Sequence, residues 1–195
     1  MTVLITGPGL IGQLTAELLA ARGERVVLAD IRAPAAVVPG VTFERADVTD
    51  TVRIGAVVWS HGIRKIVHTA AMLSTGIRQD PVRGIAVNVV GTAVILEAAR
   101  QHKLERAVIA SSTTVGYASF GRHDASPIEE DVSLSVISQR PASIYAMTKL
   151  ADEHLALLYR DLYGLDTVVL RYGAVIGGDL TSPTSVPGRL LAVLD

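Results

Sequence analysis

The stretch from Thr2 to Asp30 constrains the fold more than any other part of this chain. Val3-Leu4-Ile5 is a short apolar run, followed at once by Gly7-Pro8-Gly9-Leu10-Ile11-Gly12 in the spacing G-x-G-x-x-G. Apolar residues recur at Ile11, Leu14, Leu18 and Leu19 with a helical period until Arg22-Gly23, and Val26-Val27-Leu28-Ala29 then starts a second strand that ends in Asp30. Strand, glycine turn, helix, strand and terminal acid follow each other as a dinucleotide-binding unit requires. Gly7 permits the tight turn, Gly9 lets backbone approach a pyrophosphate, and Gly12 lets the helix pack close to the strand. The helix N-terminus offers free N–H groups and a partial positive charge to the phosphates. Asp30 accepts hydrogen bonds from ribose hydroxyls and repels the extra phosphate of NADP, which argues for NAD as cofactor.

The same alternation continues along the chain. Further strands are expected at Val41-Thr42-Phe43-Glu44, after an Ala/Pro/Gly-rich connection from Ala33 to Gly40, and at Ile66-Val67-His68, Ala107 to Ala110 and Thr167 to Leu170. Between them, Thr49 or Asp50 caps a helix carrying Val52, Ile54, Val57 and Val58. Pro81 opens a long helix to about His102, with Val82, Ile85, Val89, Ile95, Leu96 and Ala99 as its buried stripes. Ser143 caps a last helix over Ile144 to Tyr163 that carries Leu150, Leu157, Leu158 and Leu162 and ends at Gly164. The fold class is therefore α/β, a Rossmann-type doubly wound parallel sheet with strand order 3-2-1-4-5-6 and its crevice where strands one and four diverge. Met72 to Asp80 shows no period and reads as a loop over the crevice. Gly116 to Ala142, with its acidic Glu129-Glu130-Asp131, reads as a substrate-covering loop.

Composition narrows the partners. At 195 residues the chain is one domain by length and can bury about 70% of its unfolded surface. A hydrophobic share of 49% and a mean hydropathy of +0.40 are high, but no run approaches the ~18 apolar residues of a membrane span. Parallel strands buried on both faces account for the excess. Lys and Arg number 18 against 19 for Asp and Glu, without a basic cluster, so nucleic acid and anionic membrane are poor partners and a small-molecule substrate is expected. There are no cysteines, and the histidines at 61, 68, 102, 123 and 154 lack metal-ligand spacing, so no metal is expected. Without a secretory signal in view, a cytoplasmic location is the default expectation.

Tyr145 and Lys149 are four apart and share one helix face. A phenol with an ordinary pKa near 10 is a poor base at neutral pH, and an adjacent ammonium stabilises its phenolate. Ser112, in the run Ser111 to Thr114 ending the fifth strand, offers a second hydrogen bond to a reacting oxygen. The competing reading of the Tyr/Lys pair is a solvated helix face. Asp47 reads equally as a turn residue and as a cofactor contact, and His68 reads as a core histidine rather than a catalyst. Thr69-Ala70-Ala71 are small enough to leave room for a nicotinamide ribose. Asn88, mid-helix, needs a side-chain partner.

Taken together, Thr6-Gly7…Gly9…Gly12, Asp30, Asp47-Val48, His68 to Ala71, Asn88 to Thr92, Ser111-Ser112, Tyr145…Lys149 and Leu170-Arg171-Tyr172 make the sequence, over residues 2 to about 178, resemble the extended short-chain dehydrogenase/reductases, the NAD-dependent epimerase/dehydratase group. The resemblance implies catalytic roles for Ser112, Tyr145 and Lys149, with Lys149 also on the nicotinamide ribose. It implies NAD contacts from the glycine turn with Leu10 and Ile11, from Asp30 with Ile31, and from Asp47 with Val48. Ala70, Ala71, Asn88, Tyr145 and Tyr172 complete the expected cofactor site. The phosphate turn is one residue shorter than the group's usual T-G-x-x-G-x-x-G, Val115-Gly116-Tyr117 replaces its Val-Tyr-Gly, and Thr113-Thr114 after Ser112 disfavours dehydration. Ala70-Ala71-Met72-Leu73-Ser74 also looks like the loop of the threonine dehydrogenase branch, which keeps simple alcohol oxidation open beside epimerisation. A non-catalytic NAD-binding module is the alternative from another class. The resemblance further implies a homodimer through the helices at 81–102 and 144–163. It divides the chain into an NAD-binding part, 1–178, and the beginning of a substrate-binding region, 179–195, with a helix at Pro187 to Leu194.

Replacing Asp30 with Ala should weaken NAD by roughly tenfold or more, since hydrogen bonds to a charged group contribute about 1.5–3 kcal/mol, and should narrow the preference over NADP. Calorimetric titration with both dinucleotides checks this. Equal affinity of the unaltered chain for the two would overturn the assignment of Asp30.

Overall fold

The computed structural model describes residues 1–34, 39–116 and 143–175. Strands β1 (Thr2–Thr6), β2 (Arg25–Asp30), β3 (Val41–Arg45), β4 (Lys65–His68), β5 (Arg106–Ser112) and β6 (Thr167–Tyr172) form one sheet in the order β3-β2-β1-β4-β5-β6. Every neighbouring pair is parallel, with Val3 of β1 facing Val26 on one side and Lys65 on the other. This is the doubly wound arrangement that the alternation of elements demands. The helices are α1 (Leu10–Ala21), α2 (Thr51–Ser60), α3 (Ser74–Gln79), α4 (Pro81–Ile85), α5 (Gly91–Gln101) and α6 (Ile144–Tyr163), and a π-helical turn, Ala86–Val90, joins α4 to α5. All of the expected loop Gly116 to Ala142 except Gly116, and the region 179–195 with its helix at Pro187 to Leu194, lie outside the described residues, as do residues 35–38 of the connection 33–40.

Side chains alternate along each strand, so the sheet feeds two cores. Leu4, Val27, Ile66 and Ile109 pack with Ile54 and Val57 of α2, Ile95 and Ala99 of α5, and Ala156 of α6. Val3, Ile5, Val26 and Leu28 face the other way, against Ala16 and Leu19 of α1. Each fully buried Leu or Ile here stabilises by roughly 1.5–3 kcal/mol. Local signals start the helices. Asp50, not Thr49, caps α2 by accepting from Arg53 N at 2.9 Å. Ser143 caps α6 through Ala146 N at 3.0 Å, and Asp80 caps α4 ahead of Pro81.

Several expectations about helix faces are corrected. Met72 to Asp80 is not all loop, because α3 occupies Ser74–Gln79 and buries Ile77. Leu14 and Leu18 of α1, Val52 of α2, Val82 and Ile85 of α4, and Leu158 and Leu162 of α6 are exposed rather than core. The face of α1 turned to the sheet is made by Gly12 and Ala16, and that of α6 by Ala146, Thr148, Lys149, Asp152, Glu153 and Ala156. A helix lying close on a sheet has room for small residues at the contact, which displaces leucines to its flanks.

The expected single helix from Pro81 is interrupted at Asn88 by the π turn. The Asn88 side chain explains it: Oδ1 accepts from Met72 N at 2.8 Å, and Nδ2 donates to Met72 O at 3.1 Å and to Thr148 Oγ1 at 3.0 Å. The polar residue that the helix interior would disfavour thus ties three elements together. Pro81–Gln101 is, by length and composition, apolar enough to cross a membrane, but half of it is buried against the sheet and α6. It is a core helix.

His68 is buried as expected of a core histidine. Its Nδ1 meets Thr6 Oγ1 at 2.6 Å and its Nε2 meets Thr92 Oγ1 at 3.2 Å. Burial, aided by the Lys149 charge, lowers its pKa from 6.5 to about 3, so it is neutral in the folded chain. The unfolded chain takes up a proton below pH 6.5 that the folded chain refuses until about pH 3, so stability falls as pH falls through that window. Near pH 5 the loss is about 2 kcal/mol. Denaturant unfolding between pH 8 and pH 5 checks it: His68→Gln should flatten the decline, and an equal decline in both proteins would overturn the assignment.

Candidate active site

The crevice opens at the carboxyl ends of β1 and β4, where the strand order reverses. Gly7 turns the chain there with φ +88°, and its N–H donates to Ala29 O at 3.0 Å. A side chain on Gly7 would meet Ala70 N at 2.5 Å, and one on Gly12 would meet Gly7 O at 2.0 Å. Thr69 clamps the turn onto β4, its hydroxyl 2.8 Å from Thr6 O and 2.9 Å from Gly7 O. Gly9 differs. It is the N-cap of α1, exposed, with no side-chain cap, and a methyl added to it would find no atom within 4 Å. Leu10 and Ile11 follow as the first helical residues, half-buried. An uncapped helix start beside open space is a ready anion cradle.

Asp30 ends β2 with Oδ1 accepting from Arg32 N at 3.0 Å, and Ile31 beside it is exposed. Asp47 Oδ1 accepts from Thr49 N and Oγ1 at 2.9 and 2.7 Å, and Oδ2 from Arg83 at 2.9 Å. Burial pushes the Asp47 carboxyl up, but these bonds from Thr49 and Arg83 outweigh it and hold it below its ordinary value. Val48 is buried against Gly91, where an added methyl would lie 2.8 Å from Val48 Cγ2. Ala70 is buried and Ala71 half-buried at the end of β4. Asn88 is wholly buried with its polar atoms engaged, so it shapes the crevice by holding Met72.

At β5 the strand ends in Ser112, buried, whose Oγ accepts from Thr114 N at 3.2 Å and whose register partner is Tyr172 of β6. Burial raises the Tyr172 pKa. A 3₁₀ turn over 113–116 follows. Tyr145 is half-buried in the first turn of α6, and Lys149 one turn on is only 3% exposed. Lys149 Nζ donates to Ala110 O at 3.0 Å and to Asp152 Oδ2 at 3.0 Å. This ammonium is therefore anchored two residues before Ser112, which brings the ends of β5 and α6 into one site. Glu153 adds a second tie, accepting from Ser111 Oγ, from Arg171 Nε at 2.9 Å and from Arg171 Nη2 at 2.7 Å.

The profile of the NAD dependent epimerase/dehydratase family matches residues 3–194. The chain belongs to that family. It is 30% identical over 185 residues to a UDP-glucose 4-epimerase of Halalkalibacterium halodurans, covering 92% of this chain and 52% of that protein. A UDP-glucose 4-epimerase of Thermus thermophilus, solved as a complex with NAD, superposes with a TM-score of 0.85 at 34% identity, over 98% of this chain and 61% of that one. An L-threonine dehydrogenase of Cupriavidus necator, in its holo form, gives 0.74 at 28% identity, over 88% and 55%. The chain thus spans about half the length of the curated relatives it matches. Both branches indicated by the sequence, epimerase and threonine dehydrogenase, are present among these neighbours, and the family is NAD-dependent by its description.

Sequence reasoning missed Asp152 and Glu153, and it took Thr69 only as a small residue, not as a clamp. The signal for Asp152 is its spacing, seven residues after Tyr145 and three after Lys149, which returns it to the same helix face.

Gly12 and Gly9 of this family member's turn separate packing from binding. Gly12→Ala should unfold or markedly destabilise the chain, because its methyl meets backbone. Gly9→Ala should leave the melting temperature nearly unchanged, since Gly9 has ordinary extended backbone and open space, yet weaken NAD. Thermal melts with and without NAD check both; full NAD affinity in Gly9→Ala would remove Gly9 from the cradle.

Proposed function

We propose that this chain carries the NAD-binding and proton-transfer part of an oxidoreductase or epimerase acting on a secondary alcohol of a sugar, a sugar nucleotide or a similar small polar substrate. The observation that carries this reading is the anchoring of Lys149 on Ala110 O at the end of β5, one helical turn from Tyr145 and two strand residues from Ser112. The cradle fits a dinucleotide: Gly9 leaves space for a pyrophosphate at the start of α1, and Asp30 stands where the adenosine ribose would lie. NAD bound there supplies the hydride acceptor.

The protein's own residues manage the proton and the orientation. Tyr145 takes the hydroxyl proton as general base and returns it in the reverse direction. Lys149 stabilises the phenolate and reaches the nicotinamide ribose with a donor that Ala110 and Asp152 leave over. Ser112 accepts from Thr114 N, which leaves its own proton to donate to the reacting oxygen. On this reading residues 1–178 bind NAD, and 179–195 begin the substrate-binding region. Exposed apolar side chains on α4 and α6, Val82, Leu158 and Leu162, support pairing of two copies. The likeness to L-threonine dehydrogenases supports plain alcohol oxidation as a second reading.

Turnover of UDP-sugars and of L-threonine, with NAD affinity measured in parallel, tests the proposal. Tyr145→Phe should lose on the order of 10²–10⁴-fold in rate while binding NAD nearly as before. Near-unaltered turnover by Tyr145→Phe would overturn the assignment. NAD binding without turnover of any alcohol by the unaltered chain would make it a nucleotide-binding module.

A further inference from the structure

We propose that Asp152 is a positioning residue for the reaction: by pairing with Lys149 it fixes where the ammonium sits and offsets its charge beside Tyr145. The inference rests on the reading of Tyr145 as acid/base and deepens it. Tyr145, Lys149 and Asp152 follow one another at i, i+4 and i+7 along α6, so all three lie along one side of the helix, with Lys149 and Asp152 turned to the sheet. Lys149 and Asp152 are 3% and 0% exposed and 3.0 Å apart, and Asp152 Oδ1 is buried without a hydrogen-bond partner among the described residues. A carboxylate placed so deep, with Lys149 as its chief partner and Thr92 beside it, contributes little as packing. Its function is in its charge.

The surroundings make that charge decisive. From β4 the facing group is His68, which burial keeps neutral. From α5 and the π turn the facing side chains are Thr92 and Asn88, both uncharged. On α6 itself Glu153 is matched by Arg171 of β6. Tyr172 of β6 is a phenol whose pKa burial raises. The charged groups of β5, α3 and α4 are spent elsewhere: Arg106 pairs with Asp166, Arg83 with Asp47, and Arg78 and Asp80 are exposed. Among the described residues, Lys149 and Asp152 form a deeply buried pair on the same helix as Tyr145. Burial pushes the Asp152 carboxyl above its ordinary value, and Lys149 opposes this. With the carboxylate in place part of the ammonium's pull on the phenol is offset. Without it an uncompensated ammonium stands one turn from the phenol, and a bare cation at such range lowers an acid's pKa by about 1–3.

Ultraviolet titration of phenolate in the full chain, without NAD or substrate, tests this. Subtracting the titration of Tyr145→Phe isolates Tyr145. Asp152→Asn should move the Tyr145 transition down by about one pH unit, and Asp152→Glu should restore it. The acidic limb of any turnover profile should move the same way. A merely structural Asp152 would lower melting temperature without moving the transition, and an unmoved or raised transition in a folded Asp152→Asn protein overturns the proposal. Where Asp152→Asn does not fold, the double change Lys149→Met with Asp152→Leu removes both charges together, which buried pairs often tolerate. The transition should then rise by less than about one pH unit, the pull of the ammonium that the carboxylate leaves over, and a larger rise overturns the proposal. Because the titration needs no turnover, its failure is separate from failure of the Tyr145 assignment, which shows itself as an active Tyr145→Phe protein.

Discussion

Gly12 has no room for a side chain, and most of the site follows from that. Its Cα lies so close under the Gly7 carbonyl that a methyl would come within 2.0 Å of the oxygen, while Gly7 itself is pressed on the Ala70 backbone. Two strand ends and a helix start are brought within contact distance of one another, with Thr69 bonding to both Thr6 O and Gly7 O to hold them. A larger residue at either glycine would lift α1 off the sheet and move its N-terminus away from the crevice. The close approach also explains why Gly9, two residues along, can stay open: the turn is clamped on either side of it, so the free space is a stable feature of the backbone. Below the clamp, Thr6 and His68 bond across β1 and β4 at the same level. The floor of the crevice is thereby tied on both sides of the sheet's central strand pair.

That much was legible in the sequence, because glycine spacing and strand alternation are local signals with few competing explanations. Strand order and the start of α1 followed from them, while the cap at Ser143, one at Thr49 or Asp50, and the burial of His68 were read from residue type and neighbours. The helix faces did not. Periodicity assumes that the large apolar residue marks the inward face, whereas α1 turns Gly12 and Ala16 to the sheet and leaves Leu14 and Leu18 outside. Close helix–sheet packing selects for small volume, which hydropathy does not report. Likewise α3 is too short for a period to show. It owes its place to tertiary packing of Ile77 under Gly84, where an added methyl would lie 2.5 Å from Ile77 Cγ1.

The interior of α6 was hidden for a related reason. Asp and Glu in a helix ordinarily signal solvent, so nothing local in the sequence marks Asp152 and Glu153 as buried, although both are. Buried charges persist only when matched, and here the partners come from different parts of the chain: Lys149 from the same helix, Arg171 from β6. No window of sequence around Glu153 contains the arginine that makes its burial tolerable. The Tyr/Lys pair was visible because both members lie within one turn. Its charge balance was not, because that requires the fold.

Asn88 shows how these buried polar groups act as one structure. Its carboxamide holds Met72, just past the end of β4, and also meets Thr148, the residue before Lys149. Thr92, one turn later, gives its proton to Asn88 O and meets His68. The segment bordering the crevice, the π turn and the sheet-facing side of α6 are therefore joined through hydrogen bonds that are buried or partly buried. An apolar core in the same volume would be more forgiving, since it tolerates small shifts at little cost, while an unpaired buried amide costs about 1–3 kcal/mol. A polar core resists displacement for that reason. Where a proton must pass between one phenol and one substrate oxygen, resistance to displacement has a use that stability alone would not explain.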